Sequence, residues 1–267
     1  MELSQELSQE LSQRRSLLIG RLKRRKTRVR EEMVLVEGVR AVGEAFDAGA
    51  DIRFAVHSTR LEAVPGGGDV LKRLVSAQVE VLQSEEKAFE DLSDTERSQG
   101  LLAVCAQPKH GLEIIRPGGR YLVLDALQDA GNVGTLVRAA TAFAVDGVLA
   151  LAGTVDPWGA KAVRASAGMV FRVPLAAVEA EDAAQALREA DVPILVADSG
   201  GRDVSEVASE GGWALVVGNE GGGPRRSLTG LARDTVSIPM PGGAESLNAG
   251  VAGAILLFAL TQETGRV

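Results

Sequence analysis

Cysteine occurs once in this chain, as Cys105, and histidine twice, as His57 and His110. One thiol cannot form an internal disulfide, and a four-ligand zinc site of Cys and His needs more residues than these three supply. The missing disulfide framework fits a reducing compartment. Aromatic residues are 3% of the 267, which points away from an RNA platform of stacked rings. No apolar run reaches the ~18 residues that suggest a membrane-spanning helix, the longest candidate being Val251 to Leu260. The opening MELSQELSQELSQ lacks the apolar segment and cleavage site of a secretory signal, so a cytoplasmic location without a membrane partner is expected. G-x-G-x-x-G, G-x-x-x-x-G-K-[ST] and G-x-S-x-G are also absent, which removes the dinucleotide fingerprint, the P-loop and the hydrolase elbow.

What is present is a chain that is 45% hydrophobic, with 31 Gly and much Ala and Val. It is long enough for one large domain or two modest ones, and its composition suits an α/β sheet with close-packed helices. Net charge is −7, which alone argues against a nucleic-acid partner, but the sign is unevenly placed. Residues 1–30 carry nine of the 29 basic residues and three of the 36 acidic ones, and RRSLLIGRLKRRKTRVR, from Arg14 to Arg30, has no acidic residue. Such a run suits RNA phosphates or another polyanion; the alternative is a solvated helix or a disordered tail. The three ELSQ copies before it lack a sustained apolar stripe and read as a mobile extension.

Beyond this basic N-terminal extension (1–30), MVLVEG, GVRAVGEAFDAGA and DIRFAVHS read as strand, helix, strand. Further short elements, ending in the buried strand GLLAVCAQ, complete a small α/β domain over 31–107. PKHGLEIIRPGG, residues 108–119, has two Pro and three Gly and reads as the domain linker. In 120–267, strands are expected at YLVLD, GVLAL, MVFRVPL, PILVAD, WALVV and TVSIPM. Helical patterns lie between them near 132–144, 158–167, 181–190, 224–232 and 246–262. This alternation predicts a mainly parallel sheet covered on both faces, with its ligand beyond the carboxyl ends of the strands. The loops after Asp125, Val217 and Ile238 are therefore where chemistry is expected.

In the first loop, Asn132 stands as the N-cap of the helix that bears Arg138, and Gly131 and Gly134 let a ligand approach the backbone. A helix N-terminus with an Arg two turns along suits a phosphate or a ribose; a plain cap and a surface ion pair are the alternatives. In the second, VVGNEGGGP bares backbone groups beside Glu220, with a flexible turn as the alternative, and Pro224 is expected at the first position of the next helix. In the third, a Pro/Gly turn leads to Ser246, expected to cap a long apolar helix suited to burial against another helix or a partner subunit, with Asn248 in its first turn.

Together and in this order, NVGTLVR, VVGNEGGGP and IPMPGGAESLN resemble the three motifs of the SpoU (TrmH-like) ribose 2'-O-methyltransferases of the SPOUT superfamily. MVLVEGVRAVGEAFDAG is similar to the small RNA-binding domain that precedes the catalytic domain in many members, so the resemblance covers nearly the whole chain. It implies a C-terminal methyltransferase domain with a deep trefoil knot, a homodimer formed through that domain, and S-adenosylmethionine as cofactor without a metal. It further implies that Val217, Gly218, Asn219, Gly222, Ile238, Met240 and Leu247 hold the cofactor, and that Asn132, Arg138, Glu220, Ser246 and Asn248 are the catalytic set. The substrate implied is RNA, ribosomal RNA ahead of tRNA. Ala249 and Gly250 depart from the larger or hydroxylated residues often seen after SLN. A noncatalytic RNA-binding or ribosome-assembly factor on the same fold is the rival reading, and the intact polar set favours the enzyme.

Overall fold

The computed structural model describes residues 9–207, 211–219 and 223–262. Two compact units divide the chain: one runs to Gln107 and also takes Trp158–Phe171, and the other holds Pro108–Pro157 and the chain from Arg172.

The first unit contains β1 (Gln9–Glu10), α1 (Gln13–Leu22), α2 (Arg25–Glu31), β2 (Met33–Glu37), α3 (Val39–Asp47), β3 (Ile52–His57), α4 (Gly67–Ser76), β4 (Val81–Gln83), α5 (Glu86–Leu92) and β5 (Leu101–Ala106). Its sheet has the order β1-β4-β3-β5-β2. The opening strand, helix and strand are present, but β2 and β3 do not pair. β5, buried along all but its last residue, runs antiparallel between them, a central place that suits a strand with no polar side to turn to water.

The basic run is not a loose tail. Its apolar residues recur at helical spacing, so Ile19 and Leu22 of α1 are fully buried, in one cluster with Leu35, Phe54, Val56 and Leu82. Arg15 lies over the Phe54 ring at 5.1 Å and pairs with Glu80 at 2.6 Å. The buried Arg28 donates from Nη1 to the carbonyl oxygens of Leu22 and Lys23, each at 2.9 Å, satisfying the end of α1. Gln9 and Glu10 pair with Leu82 and Gln83 as a parallel edge strand, while the rest of the expected mobile extension, residues 1–8, lies outside the described residues.

Residues 158–171 complete this unit. The Trp158 and Phe171 rings meet edge to face at 5.3 Å, and Arg164 Nη1 lies 3.5 Å from Oε2 of the buried Glu37. The other oxygen of Glu37 accepts from the hydroxyls of Ser93 and Thr95. His57, buried at the end of β3, is held below the usual imidazole range by desolvation and packs as a neutral group. Burial pushes the Cys105 thiol up to about 12. The native protein is therefore expected to resist a thiol reagent at mildly alkaline pH and to take up one equivalent once unfolded; fast labelling of native protein would contradict this packing.

The second unit is built on β6 (Arg120–Asp125), α6 (Ala130–Ala142), β7 (Gly147–Leu151), β8 (Leu175–Val178), α8 (Ala180–Glu189), β9 (Ile194–Asp203), β10 (Trp213–Gly218), α9 (Arg226–Thr229), β11 (Ala232–Ser237) and α10 (Ala249–Thr261); α7 (Ala160–Ala165) belongs to the first unit. The sheet order is β11-β9-β10-β6-β7-β8, with every pairing parallel. Alternate residues serve opposite faces: Tyr121, Val123, Ala214 and Val216 join a core with Ala183 and Leu187 of α8. On the other face Val217 and Leu136 of α6 lie against Gly253 of α10. Among the described residues no helix is long and apolar enough to cross a membrane.

Two expected boundaries move. Residues 108–119 pack into the second unit: Ile114 is buried in its core, and Tyr121 Oη donates to the Ile114 carbonyl at 3.0 Å and accepts the Arg116 N–H at 2.7 Å. The strand expected at MVFRVPL is split. Met169–Phe171 forms a 3-10 turn, and β8 begins only after Pro174, which has no N–H to give a ladder.

Candidate active site

A cleft of about 590 Å³ opens at the carboxyl ends of β10 and β11, against the middle of β9 and the start of α10, and the carboxyl ends of strands are where a parallel sheet places its ligands. Six residues expected to hold a cofactor line it: Val217, Gly218, Asn219, Ile238, Met240 and Leu247. Ser246 and Asn248 line it as well. Glu220 and Gly222 lie outside the described residues.

The second loop folds back on itself. Gly223 N–H donates to the Asn219 carbonyl at 3.0 Å, and Asn219 Nδ2 donates to the Ala126 carbonyl at 3.2 Å. A Cβ on Gly218 would stand 2.5 Å from the backbone nitrogen of Pro224, so glycine is what permits this approach. Pro224 is not the first helical residue, since α9 begins at Arg226.

The caps differ from expectation. Asp129, not Asn132, caps α6, its carboxylate accepting the Gly131 N–H at 2.9 Å. Both residue types can cap, and the chain turns helical at the earlier one. Asn248, not Ser246, caps α10, with Oδ1 accepting the N–H groups of Gly250 at 3.0 Å and Val251 at 3.2 Å. Ser246 precedes the helix and is left exposed at the cleft.

The buried Asn132 sits instead within the first turn of α6, facing α10. A Cβ on Gly250 would be 3.1 Å from Oδ1 of both Asn132 and Asn248. The small residue after SLN thus allows the two asparagines to converge. Arg138 is not brought to this cleft. Six residues past Asn132, it projects about 240° round the helix and is exposed, with no ion pair or side-chain hydrogen bond among the described residues.

Ala197, Asp198 and Ser199, midway along β9, also line the cleft. The sequence reading missed them, although the rule that favoured the ends of the other strands applies equally to PILVAD. Asp198 is the one ionisable group among the described lining residues, and its Oδ1 accepts the Gly200 N–H at 2.8 Å. Apolar walls from Val217, Ile238, Met240 and Leu247, with neutral amides and three serine hydroxyls between them, suit a flat heterocycle carrying a short polar tail. The donor set therefore fits S-adenosylmethionine. Among the described residues no three His, Cys, Asp or Glu side chains gather as a metal site would require.

Comparison with known proteins identifies the family. Residues 18–103 match the MRM3-like substrate binding domain. The chain is 30% identical over 90% of its length, and 93% of the relative's, to the 23S rRNA (guanosine(2553)-2'-O)-methyltransferase RlmP of Bacillus subtilis. It resembles the AdoMet-bound rRNA methyltransferase of Sinorhizobium meliloti with a TM-score of 0.82 and 28% identity, covering 95% of this chain and 97% of that one. The SpoU methyltransferase AviRb of Streptomyces viridochromogenes, solved with AdoMet, gives a TM-score of 0.78 and 27% identity over 92% and 97%. Residues 119–258, just over half the chain, match the SpoU rRNA Methylase family, and the chain belongs to that family.

Proposed function

We propose that this protein transfers a methyl group from S-adenosylmethionine to a ribose 2'-OH of ribosomal RNA, in the cytoplasm. The observation that carries the reading is the cleft itself: the second and third motif loops meet at the carboxyl ends of parallel strands, with a wall chemistry suited to that cofactor. The bound cofactor would supply an electrophilic methyl on sulfur.

The rest falls to this chain's own residues. Val217, Ile238, Met240 and Leu247 would exclude water from the adenosine and methionine, while the backbone at Gly218 and Asn219 would supply hydrogen bonds. Asn132 and Asn248, converging at Gly250, fix the junction of the first and third loops. Arg138 would orient the 2'-OH and its neighbouring phosphate. A guanidinium is a fork of donors and a poor base, so its part is alignment in place of proton removal. Glu220 would orient the polar cluster and Ser246 would assist from the cleft edge.

We place the site in a homodimer. Val251, Ile255 and Phe258 leave an apolar stripe exposed on α10, Phe258 at 51%, beside Phe143 at 5.6 Å. Such a stripe favours a second copy of the same helix. The trefoil knot belongs to the same reading, supported by the entry of β10 between β9 and β6.

RNA would dock on the first unit through α1 and α2. Arg14, Arg21, Arg24, Arg25 and Lys26 are exposed there, and none makes an ion pair or side-chain hydrogen bond among the described residues. Replacing Arg14, Arg21, Arg25 and Lys26 with glutamine is expected to weaken RNA binding. It should also flatten the dependence of log K on log salt by about 0.7 to 0.9 for each phosphate that is no longer neutralised; an unchanged slope would remove these residues from the interface.

The deciding experiment is nucleoside mass spectrometry of undermodified ribosomal and transfer RNA after incubation with methyl-labelled S-adenosylmethionine. A labelled 2'-O-methylnucleoside in ribosomal RNA supports the proposal, label in tRNA moves the substrate, and label on a base overturns the ribose chemistry. Cofactor binding without transfer to either RNA would favour the noncatalytic factor.

A further inference from the structure

Beneath the glycine-rich loop lies an ion pair that no motif describes. Asp125, the last residue of β6, has a side chain 1% exposed, and Arg225 Nε approaches its Oδ1 to 2.7 Å. The Arg225 backbone N–H donates to Oδ2, also at 2.7 Å. The same guanidinium donates from Nη2 to the Ala152 carbonyl at the tip of β7. In the sheet register Asp125 is also the partner of Gly218 on β10. Both ends of the segment 218–225 therefore return to one residue, Gly218 through the strand ladder and Arg225 through the carboxylate.

Between these anchors, Gly218, Asn219, Gly223 and Pro224 line the cleft. We infer that Asp125 and Arg225 are positioning residues for methyl transfer, a clamp that holds the two limbs of the glycine-rich loop at the spacing the cofactor needs. Neither side chain lines the cleft; both act through the backbone they fix. The inference rests on the proposed methyltransferase reading. Its physical basis is general: a buried charge pair with a backbone hydrogen bond fixes the spacing of Gly218 and Arg225 before the cofactor arrives, so that ordering is not charged to binding.

Arg225 is partly exposed, at 32% of its side chain, so Arg225→Gln is the informative variant. The expected result is a KM for S-adenosylmethionine raised about 10- to 100-fold, the range in which small misplacement of reacting groups falls. The KM for RNA should stay unchanged, and Arg225→Lys should restore part of the loss.

A second readout needs no cofactor. Amide hydrogen exchange of the peptide 216–228 in the free protein should accelerate at least about tenfold in Arg225→Gln, with the rest of the sheet unaffected. Asp125→Asn should act on the same peptide, and the double variant should be no worse than the poorer single one, because the two groups act as a pair. Unchanged exchange with an unchanged cofactor KM, or additive effects of the two substitutions, would overturn the clamp. Absence of cofactor binding by the unaltered protein would overturn the functional reading instead, and the exchange measurement would still decide whether the pair holds the loop.

Discussion

Arg138→Ala is expected to lower ribose methylation about 10²- to 10³-fold, the usual cost of removing one aligned donor, while leaving S-adenosylmethionine affinity and the melting temperature unchanged. The structure separates these effects. Arg138 is exposed on α6 and makes no ion pair among the described residues, so its loss opens no cavity and strands no buried charge. It does not line the cleft, so the cofactor should bind as before. On the proposed reading, what would disappear is a guanidinium that aligns the substrate ribose and phosphate, and Arg138→Lys, which keeps the charge without the planar fork, should recover only part of the rate. Labelled-methyl turnover and calorimetry of cofactor binding check the two halves separately. Full activity in the alanine variant would return Arg138 to the status of a surface residue.

Gly218→Ala should weaken S-adenosylmethionine binding at least about 100-fold, as expected where a backbone placement of the order of 1 Å matters. The added methyl would lie 2.5 Å from the Pro224 nitrogen and 2.8 Å from the Gly223 carbonyl carbon. These are backbone atoms, which cannot swing aside as a side-chain tip would. The returning limb must therefore shift, and the cleft wall with it. Gly223→Ala is the matching control. Its Cβ would meet nothing within 4 Å, but φ is +64° there, so its cost is a left-handed residue, about 1 to 2 kcal/mol. A binding titration that ranked the two variants equal would show that strain, and not space, sets the requirement at this loop.

The loops that line the cleft were legible because their turn chemistry is local. Gly, Asn and Pro after an apolar strand announce a turn that bares backbone, and VVGNEGGGP and IPMPGGAESLN do so plainly. Cap positions were less so: Asp129 and Asn132, like Ser246 and Asn248, are pairs of good capping residues a few positions apart, and only the helix start chooses between them. The apolar helix at 246–262 was legible as a candidate for a partner subunit, but not which of its faces α10 leaves exposed, since AGVAGAILLFAL is apolar all round and periodicity has nothing to contrast. The burial of Ile19 and Leu22 was masked by the density of arginine around them, although SLLIGRL carries the spacing. The Asp125–Arg225 pair joins residues a hundred positions apart, and no local pattern predicts such a contact.

The membership of residues 158–171 in the first unit bears on how the chain is made. A ribosome releases β1 to β5 well before Trp158, Arg164 and Phe171, and β6, α6 and β7 emerge in between. Until then the Glu37 carboxylate has the Ser93 and Thr95 hydroxyls but not its arginine. The first unit therefore cannot finish packing during synthesis until strands of the second have appeared, and the two mature in an interleaved order in place of the usual N-to-C succession of domains. A translational pause before Trp158 would hold an incomplete first unit on the ribosome, whereas one placed after Phe171 would release it whole.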